Sequence, residues 1–291
     1  MMKIFLKCIF LLSFVAFFAG CSNNGSGIIK EIRIGLHKNN ELQIQVDLTT
    51  TVPADAYAEY WPQKGGGKDT LLSNVSKNSE SHSLVFCNIA PKTDYAYHII
   101  TTENGTKRVS KNYSFKSHDL PMWLQEQFKA INTFPKLIPA DFKNGLMLVN
   151  KRYAPGIACL VDYKGQLRWY HMVDGMGFKV LHFTKDHTIL SILGSNDEPT
   201  SYGSQILEIN LLGDTLLYLK KGEGDFQQTI HHEILKNDQN NIVTIFVDKR
   251  IMDLSSVGGS KKDTVAGDGI LVMDKHAKKL WQWSVFDALD P

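Results

Sequence analysis

Several things are scarce in this sequence, and each scarcity closes a door. No stretch approaches the ~20 apolar residues that a bilayer-spanning helix needs, and the apolar run at residues 8–18 is too short to cross. Charge of one sign is also lacking: 32 Lys and Arg stand against 30 Asp and Glu, a formal net charge of +2. Loss of Lys3 and Lys7 with a leader would bring that to about zero, which leaves no basic field for nucleic acid. Cysteine is sparse, four in all, and no closely spaced pair suggests zinc. There is no Gly-x-Ser-x-Gly nucleophile elbow. Gly65-Gly66-Gly67-Lys68-Asp69-Thr70 has Pro62 where a phosphate loop needs its first Gly and no hydroxyl directly after Lys68, so it reads as a hairpin loop. Gly222-Glu223-Gly224 has Gln227 where a dinucleotide fingerprint needs its third Gly. No cofactor and no metal are expected.

What is present begins with an export signal. Lys3 and Lys7 precede the apolar run, which has the length of a secretory signal core. It ends in Phe18-Ala19-Gly20-Cys21, followed by the polar stretch Ser22-Asn23-Asn24-Gly25-Ser26-Gly27. Small residues before a Cys and a flexible tether after it resemble the bacterial lipoprotein signal. That resemblance implies removal of residues 1–20, lipidation of Cys21 and a tether at residues 21–27. An ordinary signal with an incidental Cys stays open. Ser22 rather than Asp follows Cys21, so the expected address is the outer membrane, facing the periplasm or the cell surface. Cys87 and Cys159 sit in apolar, strand-like contexts of two different domains and read as core thiols rather than a disulfide.

Residues 28–118 read as an antiparallel sandwich. Leu42-Gln43-Ile44-Gln45-Val46-Asp47-Leu48 alternates apolar and polar with period two. Ile89-Ala90-Pro91-Lys92-Thr93-Asp94-Tyr95-Ala96-Tyr97 resembles the tyrosine corner of a fibronectin type III or immunoglobulin-like domain. Asn104-Gly105 marks a hairpin turn. Residues 119–144 are a connector, with a short helix expected after Pro121 and breaks at Pro135 and Pro139.

From residue 145 a repeat appears. Asp162-Tyr163-Lys164-Gly165, Asn210-Leu211-Leu212-Gly213 and Asp274-Lys275-His276-Ala277 each join two apolar strands. The acid or amide caps its own turn and Gly takes the positive φ. Between these copies, Leu181 to Asp186 and His231 to Asp238 each lead into another apolar strand. Four strands per unit at roughly 45–65 residues is the arithmetic of a β-propeller. A polar insertion at residues 254–268 accounts for the longer second interval. The fold class is therefore all-β: a sandwich, then an incomplete β-propeller of about three blades at residues 145–291. Closed propellers have roughly four to eight blades, so the chain is expected to be a fragment or a truncated gene product.

His231-His232-Glu233 stands at the start of a strand that would line a propeller channel. On residue types alone it reads as a hydrogen-bonded His pair, or as a metal site with partners elsewhere, before it reads as channel chemistry. Together with Thr229-Ile230, Ile234 and the stretch Leu280-Trp281-Gln282-Trp283…Asp287-Ala288-Leu289-Asp290-Pro291, however, it resembles the bacterial aryl-sulfate sulfotransferases. The resemblance runs from about residue 30 to the end. It implies roughly six blades and a periplasmic or membrane-attached enzyme. Such an enzyme moves a sulfuryl group from a phenolic sulfate donor to a phenol acceptor through a sulfohistidine, without a nucleotide donor. It further implies that His232 serves binding or proton transfer, with His231 as the alternate if the inward-facing neighbour is the other one. The nucleophilic His and its Arg would lie past Pro291, leaving this chain alone inactive. His182, at the equivalent place one blade earlier, is expected to have no catalytic part. A non-catalytic surface module for a glycan or protein partner is the competing expectation.

Overall fold

The computed structural model describes residues 27–38, 40–64, 69–131, 133 and 139–289. The leader with Cys8, the expected lipidation site Cys21, the 65–68 loop, Pro135 and the final Asp290-Pro291 lie outside the described residues. The described chain is all-β and forms several antiparallel sheets, with one short helix and three 3-10 turns among the described residues. It divides into two compact units, one built from residues up to His37 with Ile44–Phe86 and Asp94–Lys116, the other from Lys38–Gln43, Cys87–Thr93 and Ser117 onward.

The strands of the first unit are β1 (Ile29–His37), β2 (Asn40–Pro62, whose opening residues belong to the second unit), β3 (Leu71–Leu72), β4 (Ser76–Phe86), β5 (Asp94–Glu103), β6 (Thr106–Val109) and β7 (Tyr113–Lys116). They form one sheet in which β2 does most of the connecting: residues 44–49 pair with β4 and residues 55–62 with β5. The β4 pairing shifts register between Thr49 and Ala54, an interval holding Pro53, which has no N–H for a ladder, and persists to Ala56 while the β5 pairing begins at Asp55. The two stretches face each other across an aromatic core. Phe86 of β4 stacks on Tyr60 of β2 at 4.4 Å between centroids and meets Tyr97 of β5 edge-on at 5.3 Å, while Phe115 of β7 stacks on Tyr95 at 5.3 Å. Asn104 and Gly105 turn β5 into β6 with φ of 47° and 78°, the double positive φ that a tight hairpin needs.

The second unit carries the helix, α1 (Met122–Gln127), directly after Pro121, with Leu124 buried. Twelve strands then follow. β8 (Met147–Lys151), β9 (Gly156–Val161) and β10 (Leu167–Val173) make a three-stranded meander. β11 (Gly177–Phe183), β12 (Ile189–Gly194), β14 (Gln205–Ile209) and β15 (Thr215–Lys220) make a four-stranded one. The third sheet has the order β13 (Tyr202–Gly203), β16 (Ile230–Lys236), β17 (Ile242–Met252), β18 (Asp263–Met273) and β19 (Lys279–Ser284). None of the described sheets closes on itself.

The middle sheet is covered on both faces, which explains why Ile189-Leu190-Ser191-Ile192-Leu193-Gly194 is buried throughout instead of alternating. Ile189, Leu193, Leu207 and Ile209 pack with Ala158, Leu160 and Trp169 of the first sheet. Leu190, Ile192 and Ile206 pack on the other side with Ile230, Ile234, Phe246 and Leu271 of the third.

Among the described residues one turn recurs five times, not three. At Asp162, Asn210 and Asp274 a side-chain oxygen accepts backbone N–H bonds two and four residues on, at 2.8–3.0 Å. Asn237 does the same with its amide oxygen, and Thr184 with its hydroxyl. The positive-φ place is filled by Gly165, Gly213, Ala277, Asn240 and His187, at φ between 59° and 82°. Two further expectations change. The insertion at residues 254–268 is in good part strand, because β17 and β18 continue pairing as far as Met252 opposite Asp263. Cys87 falls in the same unit as Cys159, its thiol taking a hydrogen bond from Gln43 at 3.3 Å, and neither cysteine is in a disulfide.

Candidate functional site

Consecutive side chains on a regular strand point to opposite faces, so two adjacent histidines cannot normally touch. At His231 and His232 they do. The register of β16 on β17 slips between His231 and Ile234, and His232 takes φ 60°, a left-handed conformation that few side chains occupy. This is a β-bulge, a device that re-aims side chains at the cost of about 1–3 kcal/mol of local strain. It brings the two Nδ1 atoms to 2.6 Å with the rings nearly perpendicular.

His231 is buried and His232 is exposed. The Tyr202 ring lies flat on His231, centroids 4.8 Å apart and planes 19° apart, and meets His232 edge-on at 6.0 Å. Tyr202 is set there by β13, two residues paired to Ile230 and His231. Ser201, one residue earlier, takes the His232 backbone N–H on its carbonyl at 3.2 Å and places its hydroxyl 3.1 Å from His232 Nε2. On the far side of His231, Nε2 lies 3.1 Å from Asp268 Oδ1, within ion-pair range but off the line of a directional hydrogen bond. Burial lowers the His231 pKa below its ordinary 6.5; His232 adds to that, while Asp268 and the Phe246 carbonyl oppose it. Glu233 turns to a different partner, His182 of β11, at 2.8 Å.

The structure thus brings His231 and His232 together and adds Ser201, Tyr202, Asp268, Glu233 and His182. His182, expected to be inert, is an exposed neighbour tied to Glu233. Asp268 lay within a segment read as a polar insertion, and Ser201 and Tyr202 belong to no motif, so no pattern in the sequence marked them. Asp268 also borders an open cavity of about 610 Å³ whose other walls include Val265, Gly267, Trp283 and Phe286. A Cβ at Gly267 would come within 2.4 Å of Val285 and 2.9 Å of Phe286. Among the described residues, no three of His, Cys, Asp and Glu converge to hold a metal ion.

Chemically, the arrangement offers a histidine in contact with solvent, backed by a second, neutral histidine and a carboxylate. A bare imidazole nitrogen can accept a proton and an imidazole N–H can donate one.

Residues 133–291 match the family model described as Arylsulfotransferase (ASST). No curated protein matches the chain. Among solved structures, the crystal structure of the chicken CNTN1 FN1-FN3 domains aligns over 89% of this chain and 98% of that one, at 9% identity and a TM-score of 0.27, too low to carry an argument.

Proposed function

The chain belongs to the arylsulfotransferase family, and from that premise we propose that it takes part in moving a sulfuryl group from a phenolic sulfate to a phenol. The observation that carries the site is the bulge at His232, which exposes one ring of a contacting His pair. In this reading His232 binds the donor or handles the proton: neutral, it accepts the proton of the attacking phenol, and charged, it returns one to the departing phenolate, whose conjugate acid has a pKa of about 10. The sulfohistidine that the family chemistry implies forms on another histidine. Splitting the transfer into two displacements lowers each barrier.

The wider proposal follows the same premise. Residues 1–20 act as an export signal, Cys21 carries lipid, residues 28–118 form a fibronectin III-like sandwich and residues 119–144 a connector. The three stacked meanders of residues 145–291 are propeller blades, and the protein sits at the outer membrane.

Release of 4-nitrophenol from 4-nitrophenyl sulfate, measured with and without an added phenol on a form of the protein that carries the nucleophilic histidine expected past Pro291, tests this. Acceptor-dependent release that falls about 10²–10⁴-fold in His232→Ala, with far-UV circular dichroism unchanged, supports it. Release that ignores the acceptor removes the transferase reading, and wild-type rates in His232→Ala remove His232 from the site.

A further inference from the structure

We propose that Asp268, acting through His231, fixes the tautomer of His232 so that its Nε2 is the proton-accepting nitrogen of the site; this rests on the role given to His232 above. The four groups Ser201, His232, His231 and Asp268 form one chain of contacts at 3.1, 2.6 and 3.1 Å. A neutral imidazole has one N–H and one bare nitrogen, while an ionised carboxylate can only accept. These two facts orient the whole chain. With Asp268 ionised, His231 carries its proton on Nε2, facing the carboxylate. Its Nδ1 is then bare and can only accept, so His232 donates from Nδ1. That leaves His232 Nε2 bare, receiving the Ser201 hydroxyl proton until a substrate replaces it.

The reverse orientation would aim the bare nitrogen of His231 at a negative charge 3.1 Å away. Because the Asp268 contact is off-line and its side chain is 69% exposed, its hold on His231 is electrostatic more than directional. Tyr202 lies flat against His231, and the His232 ring is bracketed by the Ser201 hydroxyl on Nε2 and His231 on Nδ1. The groups facing His231 are Asp268 from β18, Tyr202 from β13, the Phe246 carbonyl from β17 and His232 beside it. Glu233, the nearest other carboxylate along the strand, is engaged by His182. Burial keeps His231 neutral near pH 7, as the single-proton accounting requires.

Asp268 and His231 are positioning residues, since neither is placed to touch the reacting atoms. The test is ¹⁵N-histidine NMR on the full chain near neutral pH, with His232 assigned through His232→Gln. His232 is expected in the Nδ1–H form and His231 in the Nε2–H form. Asp268→Asn, which can donate as well as accept, should move His232 toward Nε2–H and cut kcat at least about 10-fold with KM little changed. Asp268→Glu should restore both. His232 protonated on Nε2 in the wild type, or an identical tautomer in Asp268→Asn, overturns the proposal. The NMR readout needs no turnover. The expected tautomers in a protein with no sulfuryl transfer would therefore sink the activity and leave the positioning standing. Transfer with an unmoved tautomer would do the reverse.

Discussion

Lys236 and Glu208 make the most decisive stability experiment in the second unit. Lys236 ends β16 in the third sheet and Glu208 lies on β14 in the second, so their 2.6 Å contact ties two stacked sheets together. Both side chains are largely withdrawn from water, at 14% and 5% exposure. The second carboxylate oxygen of Glu208 accepts from the Thr188 hydroxyl at 2.6 Å, and that hydroxyl contacts Thr184. At an effective dielectric of about 20, two unit charges this close attract by about 6 kcal/mol. Taking each ion out of water costs several kcal/mol, so the net value of the pair against an apolar replacement is near zero. Removing one partner alone is a different matter. Lys236→Met strands the Glu208 carboxylate with a single hydroxyl donor and should cost about 3–5 kcal/mol, a fall in Tm of roughly 6–20 °C for a unit of this size. Glu208→Leu alone should also destabilise, leaving a buried ammonium. The double variant Lys236→Met with Glu208→Leu should return close to the wild-type Tm or exceed it. Tryptophan emission reads the transition well, because Trp123, Trp169, Trp281 and Trp283 all belong to this unit. A double variant as unstable as the sum of the singles would refute the coupling, as would a Lys236→Met variant that melts with the wild type.

Two further outcomes follow from groups that burial has perturbed. His82, His171 and His231 all have pKa values lowered from 6.5, with burial the largest cause in each. The unfolded chain therefore binds more protons than the folded one as pH drops below about 6.5, so stability is full above that value and declines beneath it. Scanning calorimetry from about pH 8 to pH 5 should show the loss begin well before the surface carboxylates Asp263, Asp274 and Asp287 contribute, since turn and cap N–H groups hold their pKa values below the ordinary 3.8; a flat Tm would overturn this. The Cys159 thiol is buried and its pKa is pushed up to about 12, so iodoacetamide near neutral pH should leave it unlabelled until denaturant is added, as peptide mass spectrometry would report. Labelling of native Cys159 at the rate of a free thiol would contradict its placement.

Strand content and turns were largely legible because their causes are local. The Asn104-Gly105 hairpin and the caps at Asp162, Asn210 and Asp274 depend on residues close together in the chain. The two turns that escaped notice, at Thr184 and Asn237, use the same hydrogen bonds, but His187 and Asn240 occupy the place where Gly was sought. Positive φ costs Asn little and His somewhat more, so the motif survives the substitution while its pattern does not. The long arm of β17 and β18 was missed for a related reason. Ser, Gly, Lys and Asp signal loops by composition, yet strands here are sustained by the partner strand across Met252 and Asp263 and by an exposed face that tolerates polar residues.

The site was half legible, and the division falls along a physical line. The sequence displays His231 and His232 side by side, but strand periodicity says that neighbours face apart, so reading it requires choosing one of them. The choice disappears once the bulge turns His232 to φ 60° and the rings meet. Nothing local encodes that bulge. Asp268 lies far beyond His231 in the chain, and Ser201 lies 31 positions before His232, each brought in by a separate strand of the same sheet. The slipped register leaves no signature in the residue types: Ile230 and Ile234, both fully buried, simply flank it. The contacts made in the bulged form are Tyr202 stacked on His231, Ser201 on His232, and the His–His bond itself. The local strain of His232 is thus offset by the same contacts that would make it a proton carrier. Replacing Ser201, Tyr202 or Asp268 should therefore disturb the chemistry before it disturbs the fold.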